Sequence, residues 1–172
     1  MPLAVTHVLT TIILVDLYRD YVTPHKKYFT MNSILLAGIF GLLPDIDVFF
    51  RFIWTATGTA LPNILQHRGI THTLLFVLLF LIPGIFFSLR KQHRIATIFY
   101  IAAFGIFWHL TLDFFLSGDS SYGIMWLYPF STMGWKLELA SGIPYFSQGL
   151  DAAILLLWLW HEEIKHKIVD FI

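Results

Sequence analysis

The sequence predicts an all-α, polytopic transmembrane bundle of about four to five spans with one long outer loop, forming a single domain over residues 1–172. Three observations predict it. Hydrophobic residues make up 57 % of the chain and charged residues 13 %, roughly half the charged share of an ordinary soluble domain. Seventeen Phe, six Trp and seven Tyr exceed what a core of this size uses, and such an excess belongs at lipid-facing and interfacial positions. Five apolar stretches approach the roughly 20 residues a helix needs to cross the hydrocarbon layer.

The first stretch, 3–18, is short and is interrupted by His7 and Asp16, so it is either tilted or partly inserted. The second, 31–52, contains Pro44 within LPDID, where a proline kinks or frays a helix. The third, 70–89, ends in the uncharged run VLLFLIPGIFFSL and is entered through QHRGITHTLL. The fourth, 95–117, carries HLTLD, and the fifth, 149–160, is short and holds Asp151 near its start. Between them lie loops 19–30, 53–69, 90–94 and 118–148. The last is rich in Gly, Ser and aromatics and is expected to fold over one face, with Trp126, Tyr128 and Trp135 in an interfacial belt. The opening MPLAVTH lacks the basic region of a signal peptide, so the first apolar run is read as retained.

With five spans, eight of the eleven Lys and Arg fall on the side of loops 19–30 and 90–94 and of the C-terminus. The positive-inside rule makes that side cytoplasmic and the N-terminus external. A four-span arrangement, with the first helix lying in the interface, leaves the later loops where they are. Zero formal net charge argues against a nucleic-acid partner, which calls for a basic patch. No cysteine is present, which removes disulfides and thiolate metal sites.

Ionisable groups inside spans are costly and mark function. Here the alternating helices deliver His7, Asp45, Asp47, His67, His72, His109, Asp113 and Asp151 to one outer depth, with Arg68 beside them. Asp16 alone belongs to the inner end, where Arg19 can pair with it. His109 and Asp113 are four apart, so both leave one helix face and can grip one ion. Asp45 and Asp47 diverge by about 200° on a regular helix, so both reach one site only if the backbone around Pro44 is irregular. Each motif alone has a plain alternative: a cap for His67 and His72, a buried ion pair for His109 and Asp113, helix termination for Asp45 and Asp47, and a lone terminal histidine for His7. Their common depth is what separates a site from scatter. Four imidazoles and three carboxylates exceed the four ligands of one zinc and suit two ions sharing a bridging carboxylate, as in phosphoester hydrolases. Arg68 could hold an anionic group bidentately or snorkel to the interface.

Other candidates are weaker. The tail HEEIKH imitates a zinc-protease signature, which needs His at i and i+4, yet position 165 is Lys. His161 and His166 are expected on a solvated helix face, and His25 and His93 in solvated basic loops. Asp151 is either a partner for a ligand or an N-cap.

The chain resembles the YdjM-like family of membrane-bound metal-dependent hydrolases. The match rests on Thr6 and His7, LPDID at 43–47, HRGITHT at 67–73, HLTLD at 109–113 and YGIMWLYPFS at 122–131. It covers nearly the whole chain, with Thr73 where the family commonly has Ser and DFFLSGDSSYG in place of a Pro-containing stretch. That family is thought to be distantly related to zinc-dependent phospholipase C and P1-type nucleases. The resemblance therefore implies clustered zinc and phosphoester chemistry at His7, Asp45, Asp47, His67, His72, His109 and Asp113.

The resulting expectation is a membrane-bound phosphoesterase with one to three divalent ions, most simply zinc, at the outer face, and the lipid bilayer as its partner. His7, His67, His72, His109 and Asp113 are the leading ligands. Asp45 and Asp47 supply a bridge and a general base, and Arg68 orients the phosphate. The substrate class that suits headgroup depth is a lipid-linked phosphoester. The rival is a divalent-metal or proton-coupled transporter, placed second because transporter sites lie near the midplane between repeated halves. A metal-stabilised scaffold without activity comes third.

Overall fold

The computed structural model describes residues 4–23, 28–58, 68–116, 123–139 and 145–166. Among these there is no β-strand; the chain forms helices α1 (Ala4–Tyr21), α2 (Met31–Leu42), α3 (Ile46–Ala56), α4 (Leu74–Leu89), α5 (His93–Leu116) and α6 (Phe146–His166). Short 3₁₀ turns join α2 to α3 at Leu43–Asp45 and lead into α4 at Ile70–His72. Pro44 stands at the start of the first turn, where its fixed φ and missing N–H interrupt regular α-helix. The irregular backbone required at LPDID is therefore present.

Among the described residues, two segments are long and apolar enough to cross a membrane: Met31–Ala56, which is α2 and α3 taken through the turn, and His93–Leu116. The apolar α4 is shorter. The expected four to five spans thus exceed the two that length and composition support. Helices α1 and α6 run beyond the predicted stretches, to Tyr21 and His166, because each ends in a polar turn that a hydropathy reading truncates.

Helix α5 is the axis of the fold. Its small residues Ala102, Ala103 and Gly105 are buried, and small residues let helices approach closely. A Cβ on Gly105 would lie 3.0 Å from the Gly41 nitrogen, and one on Gly41 would run into Thr11 Oγ1 and sit 3.0 Å from His7 O. Helices α1, α2 and α5 therefore meet in one tight layer. Apolar cores lie on both sides of it: Val77, Ile106, Leu110 and Ile124 in one, Val15, Ile34, Ala37 and Ile101 in the other. Outward-facing Leu79, Ile82, Leu156 and Trp160 are 61–67 % exposed, while Thr6, His7, Asp47, His72, His109 and Asp113 are buried. Apolar outside and polar inside is the arrangement that hydrocarbon favours.

The described part of the long loop, 123–139, is a strap over the ends of α4 and α5. Leu74 N donates to Trp126 O at 3.0 Å, and Leu137 N to Phe114 O at 2.8 Å. Ile124 is fully buried and pairs with Trp135 in an isolated bridge. Trp126 departs from the interfacial belt: it packs on the core beside Phe107 and Phe114. Trp135 is half exposed.

Candidate metal centre

Four parts of the chain converge on one point. The first turn of α1 supplies His7, the 3₁₀ turn and α3 supply Asp45 and Asp47, the turn before α4 supplies Arg68 and His72, and the last turns of α5 supply His109 and Asp113. All are buried except Asp45, whose side chain is 23 % exposed. Asp45 therefore stands at the mouth.

Each of two imidazoles has one nitrogen occupied by the protein and the other turned inward. His109 Nδ1 lies 2.8 Å from Gly41 O; the ring N–H donates to that carbonyl, which leaves Nε2 as a lone pair. His109 Nε2 is 3.5 Å from Asp45 Oδ1 and 3.9 Å from Asp113 Oδ2. His72 Nδ1 lies 3.3 Å from Asp47 Oδ2, and its Nε2 is 3.6 Å from Asp45 Oδ1 and 3.8 Å from Asp113 Oδ2. His7 stacks on His109 with ring centroids 3.9 Å apart and places Nε2 3.5 Å from Asp113 Oδ1. The two stacked rings thus address the two oxygens of one carboxylate.

These N···O gaps fit an ion better than they fit hydrogen bonds. Hydrogen bonds of this type close to about 2.7–3.2 Å, whereas atoms bonded to one tetrahedral zinc at about 2.1 Å stand roughly 3.4 Å apart. Two overlapping trios, His7 with His109 and Asp113, and Asp45 with His72 and His109, have ligand atoms within 4.8 Å of one another. Three carboxylates and Arg68 leave two negative charges in excess when the imidazoles are neutral, a balance that a bound cation or protonated imidazoles would meet.

Asp47 and Arg68 occupy supporting places. Asp47 Oδ2 accepts from Thr71 Oγ1 at 3.1 Å and from the Arg68 backbone N–H at 3.2 Å, on the far side of His72 from the centre. A carboxylate behind a ligating histidine fixes the ring and raises its basicity. Arg68 adopts φ 67°, a left-handed conformation costing a non-glycine residue about 1 kcal/mol or more. That conformation delivers its N–H to Asp47 while its Nη2 reaches within 3.9 Å of Asp113 Oδ2.

His67 lies outside the described residues, as do His25, Lys26, Lys27 and Lys167 of the basic side. Asp151 is within α6 and accepts a hydrogen bond from Thr6 Oγ1, so it is a partner for α1 and not an N-cap. His93 is exposed, as expected. His161 differs from expectation: it is partly buried beside Asp16 and Glu162, because α6 packs its last turns against α1. Gly41 and Thr71 were not legible as site residues, since one acts through a carbonyl and the other through a hydroxyl.

The family model for the YdjM inner membrane protein matches residues 1–169. The chain belongs to that family. No curated protein and no solved structure matches it. Membership makes this YdjM-family chain an integral inner-membrane protein.

Proposed function

We propose that this YdjM-family protein is a membrane-bound, metal-dependent hydrolase of phosphoesters. Its chain crosses the membrane four to five times, with the C-terminus cytoplasmic and the centre toward the outer face. The observation that carries the reading is the paired histidine geometry: two imidazoles, each held through Nδ1 by a protein oxygen, aim Nε2 at the same two carboxylates.

His72, His109, Asp45 and Asp113 would hold one ion. His7, with the other oxygen of Asp113, would hold a second. Zinc suits imidazole and carboxylate ligands. A divalent ion bound there acidifies water and neutralises charge on phosphoryl oxygens. Asp47 and Gly41 O keep the two rings from turning. Asp45, at the mouth, has a second oxygen that can accept a proton from incoming water. Arg68 offers a planar fork to a phosphate. A centre at headgroup depth suits a lipid-linked phosphoester.

The test is elemental mass spectrometry on detergent-purified protein, followed by a phosphoester screen that includes phospholipids and polyprenyl phosphates. The expected result is one to three zinc ions per chain and a hydrolysed ester, with hydrolysis and the zinc of this centre both lost in Asp113→Ala. Protein free of metal after chelator-free purification sinks the reading. Bound zinc with no hydrolysis, but zinc flux in vesicles, moves it to transport.

A further inference from the structure

A second cluster of ligand-type side chains stands at the other end of α1. Asp16 faces His161 and Glu162 of α6, and the three offer ligand atoms all within 4.8 Å of one another. Asp16 is 3 % exposed. We propose that Asp16, His161 and Glu162 form a second divalent-metal site, separate from the centre around His109.

The histidine is arranged as the two in the first centre are. Its Nε2 lies 3.3 Å from Tyr21 Oη, and Lys165 Nζ, 4.7 Å over the Tyr21 ring, holds that ring in place. The other nitrogen, Nδ1, is thereby turned toward Glu162 Oε1 at 3.4 Å. Both atoms are shut off from solvent and neither makes a hydrogen bond. When Nε2 carries the ring proton, Nδ1 presents a lone pair to a carboxylate oxygen. That contact is repulsive unless a proton or a metal cation lies between them, and an unsatisfied buried polar atom costs about 1–3 kcal/mol.

Arg19 is already in the cluster, with Nη2 2.7 Å from Asp16 Oδ1 and Nε 3.0 Å from Asp20 Oδ1. It does not exhaust the site: a carboxylate has two oxygens and about four lone-pair positions, and Asp16, Asp20 and Glu162 outnumber the guanidinium. One imidazole with two carboxylates suits zinc, manganese or ferrous iron. His161 also lines a cavity of about 390 Å³ between α1, α5 and α6, bounded by Thr10, Leu17, Trp108 and Trp158.

The experiment uses the full chain in detergent, stripped with chelator, re-equilibrated with zinc alone and counted by elemental mass spectrometry. With the first centre disabled by His109→Gln and Asp113→Asn together, one zinc per chain is expected to remain. Glu162→Gln and His161→Ala, each made in the otherwise unaltered protein, are expected to lower the count by one. Either variant keeping the unaltered count overturns the site as drawn, and so does a His109→Gln, Asp113→Asn protein that holds no zinc. Failure of the hydrolase centre looks different. The unaltered and doubly substituted proteins would then hold the same single zinc, still removed by His161→Ala.

Discussion

At one end of α1, His7 joins a cluster in which every carboxylate and imidazole but Asp45 is sealed from solvent and two rings are held from behind by Gly41 O and Asp47. At the other end, Asp16 joins one imidazole held by an exposed tyrosine hydroxyl, with a guanidinium already on its carboxylate. The two ends use the same residue types. They differ in how completely the protein fixes them before an ion arrives. Ordering side chains costs conformational entropy, and a centre whose rings are already held has less left to lose on binding. The buried end should bind metal more tightly, and the half-open end should exchange it more readily.

The largest test of that contrast is Asp113→Ala. It removes a carboxylate that reaches His7, His72 and His109, so elemental analysis should show the first centre emptied, the Asp16 site still filled and circular dichroism unchanged. Metal content unaltered in this variant would remove Asp113 from the ligand set. Next come the supports: Asp47→Asn should weaken zinc at the first centre by about 10–100-fold, the cost of losing an outer partner. Tyr21→Phe should weaken the second by less, since a tyrosine hydroxyl carries no charge; competition with a chromogenic chelator measures both. If Tyr21→Phe proved the more damaging, the ranking of the two ends would be inverted.

Packing gives a third test. Gly41→Ala puts a methyl against Thr11 and His7, and overpacking of this kind costs about 1–3 kcal/mol. Thermal unfolding in detergent should fall, and zinc affinity should drop at the first centre alone. The smallest effect is in proton release. At a pH low enough to protonate the imidazoles of the empty sites, zinc binding should release more protons at the first centre, with three imidazoles, than at the second, with one, as calorimetry in buffers of different ionisation enthalpy would report. Lowering the pH should therefore weaken the first centre more steeply.

Much of the first centre was legible in the sequence because its signals are local. HLTLD places two ligand-type side chains one turn apart, and Pro44 announces the irregular turn that lets Asp45 and Asp47 approach His72 from different sides. The sequence did not disclose which imidazole nitrogen faces inward, because that depends on Gly41 O and Asp47, both supplied by a different helix. Nor did it mark Asp47 as a support behind His72, since spacing alone cannot tell the near side of a ring from the far side. The second cluster was missed for a related reason. His161 sits among Glu162, Glu163 and Lys165 and reads as a solvated face, and only the packing of α6 on a helix 140 residues earlier turns it inward. Trp126 reads as an interfacial aromatic until the strap folds it onto Phe114.

The bond from Thr6 to Asp151 has a mechanical consequence. With the Asp16, His161 and Glu162 cluster, it fastens α6 to α1 at two places. At about 1.5 Å of rise per residue, the fastenings are roughly 15 Å apart along α1 and roughly 16 Å apart along α6. The two helices run side by side in the same direction with nearly equal rungs, as a ladder does. Sliding one past the other by a single residue would break both rungs at once.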